Sequence, residues 1–137
     1  MLDAGTLYEL ARELQHCSPL FQTTGGVHAA ALSGPLPAAG RLLLVRADIG
    51  RHNAVDKVVG HCLRHGIGLS DKALLVTGRV SVEMVAKAGR AGCRLLVSRS
   101  APTSLAIDLA DQENITLVGF ARAERANVYT HWWRVRL

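Results

Sequence analysis

Four short apolar runs constrain this chain more than any other feature: Leu42–Val45, Ala73–Val76, Leu95–Val97 and Ile115–Gly119. Short runs of this kind, broken only by Thr116 in the last, read as buried strands. Between them the period becomes helical. Over residues 53–65, Ala54, Val55, Val58, Val59, Cys62 and Leu63 fall on one face, with Asp56, Lys57, His61 and Arg64 off it. Gly66 and Gly68 end that helix. A second helix, 81–91, starts at Ser81, packs Val82, Val85 and Ala86, and stops near Gly92. A third, 102–112, opens with Pro102 at a first-turn position, where its missing N–H costs nothing. Strands separated by single helices argue for a mostly parallel sheet with helices on its faces.

Upstream, residues 3–16 carry Leu7, Leu10, Ala11 and Leu14 at helical spacing behind a capping Asp3. A Thr23–Gly26 turn leads into an apolar segment, Val27–Leu32, and Pro- and Gly-rich residues 33–40 form a loop. No repeat or linker divides the chain. Its 137 residues, 49% of them hydrophobic, suit a single α/β domain over 1–137 with a short basic tail. The longest stretch without Lys, Arg, Asp or Glu, Leu14–Gly40, contains three prolines and is no membrane span. The N-terminus has no secretory pattern, so the chain reads as cytoplasmic.

Net charge is +5, and 13 of the 16 basic residues are Arg, the planar donor that grips phosphates and carboxylates. Their placement matters more than their number. Open α/β sheets bind ligands outside the carboxyl ends of their strands. There this sequence offers Gly50-Arg51-His52-Asn53, Thr77-Gly78-Arg79 with Ser81, Ser98-Arg99-Ser100 with Thr103, and Gly119-Phe120-Ala121-Arg122. Each loop delivers an Arg, and three add hydroxyl or amide donors beside a helix start, where unsatisfied N–H groups favour an anion. Gly50 and Gly78 would let backbone amides approach phosphate closely. The expectation is a phosphate-bearing ligand held along one rim. With no Walker or G-x-G-x-x-G pattern, neither an ordinary P-loop nor a dinucleotide fold is indicated. Scattered Arg and six aromatics argue against nucleic acid.

Gly25 and Gly26 lead to His28, which with Asp48, His52 and Asp56 offers acid–base or metal-ligating groups. A zinc deaminase needs H-x-E here and P-C-x-x-C later. The Glu position is Ala30, and Cys17, Cys62 and Cys93 form no close pair, so zinc is not expected. Asp48 and Asp56 read as anchors for neighbouring basic groups. Cys62 and Cys93 read as core thiols, and Cys17 as a loop thiol. No catalytic residue is assigned.

These segments resemble a known family. Phe21-Gln22-Thr23-Thr24-Gly25-Gly26-Val27-His28-Ala29-Ala30-Ala31-Leu32 is one signature and Asp48–Lys57 (DIGRHNAVDK) a second. Gly78-Arg79 with Ser81, Glu83-Met84-Val85 and Lys87 is a third, Ser98–Thr103 (SRSAPT) a fourth, and Asn127–Thr130 (NVYT) a fifth. Together they look like the FdhD family, the accessory sulfurtransferase for formate dehydrogenase. The resemblance implies a cytidine-deaminase-like, three-layer α/β/α fold without the deaminase zinc. It implies sulfur received from a cysteine desulfurase and passed to the molybdenum (or tungsten) bis-guanine-dinucleotide cofactor, bound as substrate, before that cofactor enters formate dehydrogenase. GDP would then mimic the ligand, and a homodimer is expected.

The family's sulfur-carrying cysteine lies in a C-x-x-C loop upstream of the F-Q-x-T-G-G-V-H-A-A segment. The 20 residues before Phe21 hold Cys17 alone, and that role is not carried over to it. The chain therefore reads as the C-terminal, cofactor-binding domain of an FdhD-like protein. Another class of reading is a non-catalytic guanine-nucleotide-binding or scaffold module docking desulfurase or dehydrogenase. A third is a phosphate-ester enzyme using His28 or His52 as general base.

Overall fold

Runs with no polar face become the centre of the sheet. In the computed structural model, which describes residues 2–17, 27–36 and 41–136, the elements in chain order are β1 (Leu2–Asp3), α1 (Ala4–His16), β2 (His28–Ser33), β3 (Leu42–Asp48), α2 (Arg51–His65), β4 (Ala73–Val76), α3 (Val82–Arg90), β5 (Leu95–Ser98), α4 (Ser104–Gln112), β6 (Thr116–Arg122), β7 (Arg125–Val128), a 3-10 turn (Trp132–Arg134) and β8 (Val135–Arg136). Six strands form the main sheet in the order β3-β2-β4-β5-β6-β7. Its centre, β4-β5-β6, is parallel. The β2/β3, β2/β4 and β6/β7 pairs are antiparallel, so the expected parallel arrangement is the core of a mixed sheet.

Two hydrophobic layers follow from the alternation along each strand. Leu74, Val76, Leu96 and Leu117 face α2, α3 and α4, meeting Val55, Val58, Met84, Val85, Ala106 and Ala110. Ala73, Leu75, Leu95, Val97 and Val118 face the other way, against Leu7, Leu10 and Leu14 of α1. The result is the three-layer α/β/α arrangement, with, among the described residues, one helix on one side and three on the other.

Helix ends follow local chemistry. Gly66 closes α2 at φ 67°, a left-handed conformation that costs glycine little. The Ser81 hydroxyl accepts the Met84 N–H and caps α3. Two expectations shift. Helix α4 begins at Ser104 with Thr103 as its cap, because Pro102 is held in a parallel bridge with Val80 and cannot enter the first turn. Leu63 is 74% exposed, since α2 turns Cys62 and not its neighbour toward the sheet. The basic C-terminal segment also does not trail off. Val135 is buried and pairs with Leu2, and Arg134 donates to Thr116 Oγ1 and Asn114 Oδ1 at 3.0 and 2.9 Å.

Candidate functional site

Strand directions gather the loops. Because β2 runs antiparallel to both β3 and β4, the strands β3, β4, β5 and β6 all point the same way. Their carboxyl ends, the start of β2 and the N-termini of α2, α3 and α4 therefore share one edge. His28 opens β2 opposite Asp48, the last residue of β3.

The tightest packing at this edge is around Gly78, which is buried. A Cβ there would lie 3.0 Å from Arg51 Cδ, 3.1 Å from Arg51 Cβ and 3.1 Å from His28 Nδ1. The Arg51 side chain and the His28 ring therefore rest directly on the bare Cα. His28 Nδ1 and Arg51 Nε are both buried without a hydrogen-bond partner. Such orphaned groups are uncommon away from ligand sites. The His28 pKa lies below the usual histidine range, first because burial disfavours its charged form and then because Arg51 is close. The imidazole is therefore neutral at neutral pH.

Arg99 and Arg122 form a second cationic group. The Arg99 pKa is lowered, first by burial and then by the charge of Arg122. Both line a cleft of about 420 Å³ together with Tyr8, Arg12, Gln15 and His16 of α1. Arg79 is exposed beyond Gly78. The three lysines of the chain, Lys57, Lys72 and Lys87, are each ion-paired, with Asp48, Asp71 and Asp56. Among the described residues, Arg51, Arg79, Arg99 and Arg122 are in no ion pair, although the charge of Arg51 reaches Glu83.

The expected hydroxyl and amide donors are placed at the same edge, but most of their hydrogen bonds are internal. Ser98 donates to the Gly78 carbonyl at 2.6 Å, and its oxygen accepts the Ser100 N–H at 2.9 Å. Ser100 donates to the Thr77 carbonyl at 2.9 Å, and Thr77 Oγ1 accepts the Ala29 N–H at 3.0 Å. Ser81 and Thr103 cap helices. The Gly50 N–H and the Asn53 amide both donate to Asp48 Oδ1, at 3.0 and 3.4 Å, while Lys57 lies 2.9 Å from Oδ2. An internal carboxylate thus occupies the α2 N-terminus. The Lys57 and Gly50 hydrogen bonds hold its pKa down at about 2.

The hydroxyls therefore build the rim, on which Arg79 and Arg122 are exposed and Arg51 and Arg99 half-buried. The loops are also stitched to one another: Val80 N–H donates to the Ala101 carbonyl and Thr103 N–H to that of Val80, at 3.1 and 3.0 Å. His52 is half-buried beside Glu83, whose carboxyl is lowered chiefly by its own backbone N–H and by Ser81, with help from the charges of His52 and Arg51. Asp56 pairs with Lys87, so it forms no catalytic pair with Asp48. Gly25 and Gly26 lie outside the described residues. The α1 contribution was missed from sequence, although Tyr8, Arg12, Gln15 and His16 recur at one-face helical spacing. Among the described residues no group of three or more His, Cys, Asp or Glu is placed to hold a metal. No helix among them is long and apolar enough to cross a membrane.

The family model described as the FdhD/NarQ family matches residues 1–136. The chain is 48% identical over 134 residues to the sulfur carrier protein FdhD of Bacillus pumilus (strain SAFR-032), covering 98% of this chain and 50% of that protein. It is 49% identical over 127 residues to the FdhD of Bacillus subtilis (strain 168), covering 93% and 47%. The chain thus spans about half the length of the curated relatives it matches. Among solved structures, a formate dehydrogenase accessory protein from Desulfotalea psychrophila superposes with a TM-score of 0.89 at 38% identity, over 98% of this chain and 59% of that one. A bifunctional deaminase/reductase from Thermotoga maritima, diaminohydroxyphosphoribosylaminopyrimidine deaminase/5-amino-6-(5-phosphoribosylamino)uracil reductase, matches at TM-score 0.52 and 14% identity, over 83% and 34%. That likeness shows a shared fold alone.

Proposed function

This chain belongs to the FdhD/NarQ family, and we propose that it is the part of a sulfur carrier that holds the guanine-dinucleotide form of the molybdenum cofactor by its phosphates. The cofactor is the substrate on this reading. A cysteine desulfurase is the sulfur source, and formate dehydrogenase receives the product. The observation that carries the reading is the contrast between ion-paired lysines and rim arginines outside any ion pair: among the described residues none of the four rim arginines is in an ion pair, while every lysine is. Cations set along one edge, some of them half-buried, repel each other until a polyanion neutralises them.

What the chain's own residues do is bind and orient. Arg51, with its aliphatic stem fixed on Gly78, presents its guanidinium from the first turn of α2. Arg99 and Arg122 grip from the cleft side, and Arg79 closes over from solvent. His28, neutral and with Nδ1 unpartnered, offers a hydrogen bond without adding charge. The thiols support a holding role and not a sulfur-carrying one. Cys62 and Cys93 are buried, with Cys93 pushed up to about 12 by desolvation, and burial and Glu13 raise Cys17.

GDP titration by calorimetry tests this. Binding that weakens at least about tenfold in both Arg51→Ala and Arg99→Ala is expected, since each removes a charge-assisted contact. A folded chain with no affinity for GDP would contradict it.

A further inference from the structure

Phe120 occupies a conformation that bulky side chains seldom adopt, with φ at 52°. The cause lies one residue earlier. Gly119 is buried, and a Cβ there would fall 2.9 Å from Tyr129 Cε2, 3.0 Å from Pro102 Cδ and 3.1 Å from the Ser100 carbonyl oxygen. The Phe120 N–H donates to that same carbonyl at 3.2 Å. Strand β6 is thereby clamped to the 98–103 loop, and its ladder with β7 is interrupted between Gly119 and Arg122. The Phe120 ring leaves the core and stands half-exposed beside the rim.

What surrounds the ring is chemically specific. It lines a depression of about 540 Å³ with Arg122, Ala123, Arg125, Ala126 and Asn127. The Arg122 guanidinium carbon lies 5.7 Å from the ring centroid. Arg122 and Arg125 are directly opposed cross-strand partners, a like-charge placement that destabilises a hairpin. Glu124 in the turn between them pairs with Arg12 instead, at 3.7 Å. The Asn127 amide nitrogen donates to Tyr129 Oη at 3.5 Å, and its carbonyl oxygen has no partner among the described residues. Arg122 also lines the cleft that contains Arg99, so the depression continues the rim.

Resting on the reading of that rim as a guanine-nucleotide phosphate site, we propose that Phe120 is the stacking platform for the purine base. Asn127 meets the base edge, and Arg122 bridges base and diphosphate. An aromatic face flanked by guanidinium groups binds a planar base through stacking and cation–π attraction. The amide adds the acceptor and donor that a purine edge requires. The strained backbone at Phe120 is thus retained because it aims the ring.

Calorimetric titration of the whole chain with GDP and, separately, with inorganic pyrophosphate tests this in wild type, Phe120→Gly, Phe120→Tyr and Asn127→Ala. Glycine is at ease at positive φ, so the relief of backbone strain offsets the lost half-buried ring and Phe120→Gly is expected to fold, which circular dichroism checks. The proposal expects Phe120→Gly to lose about tenfold in GDP affinity while pyrophosphate affinity stays within about twofold. Phe120→Tyr should keep wild-type GDP affinity, and Asn127→Ala should weaken GDP alone. Equal GDP affinity in wild type and Phe120→Gly would overturn the platform and leave the phosphate rim standing. So would parallel loss of both ligands in that variant. Failure of wild type to bind either ligand would overturn the rim and the platform together.

Discussion

Arg51 and Gly78 are in contact so close that a Cβ at 78 would sit 3.0 Å from Arg51 Cδ, so any side chain there makes Arg51 give way by a few tenths of an ångström. The contact fixes the stem of a half-buried cation, and the same bare Cα fixes His28. Placement of charge at this rim is therefore set by a missing side chain on the next loop.

Gly78→Ala should displace both Arg51 and His28 while leaving the core intact. GDP affinity is expected to fall about threefold, because the added Cβ makes both side chains give way by a few tenths of an ångström. Circular dichroism should remain native. Unchanged affinity would show that the contact does not position the cation.

Burial and the charge of Arg122 both disfavour the charged form of Arg99, so removing Arg99 should relieve strain. Arg99→Ala is expected to raise Tm slightly, by about 1–2 °C, while lowering GDP affinity. Thermal melts with and without GDP check this, and a lower Tm in the free protein would contradict it.

Acid sensitivity has a worked sign. The folded-state pKa of His28 is depressed, so below the ordinary histidine value the unfolded chain takes up a proton that the folded chain refuses. Stability is lost as pH falls from about 6.5 toward the depressed folded value. Asp48, held at about 2 against an ordinary 3.8, contributes stability present above 3.8 and lost as pH falls through about 2. Urea melts across pH should therefore show two losses on acidification. His28→Gln should flatten the upper one and Asp48→Asn the lower.

The thiols should separate by burial. Native chain treated with iodoacetamide near pH 8 is expected to gain an adduct at Cys17 alone, and slowly, because its pKa is raised. Cys62 and Cys93 should react only after unfolding. Mass spectrometry reads the sites directly, and prompt native labelling at Cys93 would contradict a pKa of about 12.

Much of the layer arrangement was legible because Ala73–Val76 and Leu95–Val97 are apolar on both faces, a pattern that fits central strands. The antiparallel edge was not legible. Val27–Leu32 and Leu42–Val45 give no local sign that they pair with each other and that β2 then inserts between β3 and β4. The hairpin to β7 was missed because its turn residues, Ala123 and Glu124, are not turn formers, yet both adopt positive φ. At the site, residue identity located the rim but not the direction of each hydrogen bond. Ser98 and Ser100 look like ligand donors in sequence, and only tertiary structure reveals that they donate to carbonyls of the neighbouring loop. Asn53 is likewise turned to Asp48. The arginines carried the more durable signal, since their long side chains reach outward whatever the loop beneath them does.

The most direct test of a nucleotide-phosphate rim is a map of backbone amide shifts by NMR as GDP is added to the whole chain. The account predicts that the perturbed amides cluster in residues 48–52, 77–81, 98–103 and 119–127, saturating together at one affinity. Perturbation centred instead on the outer faces of α2 and α3, or none at saturating GDP, would contradict it.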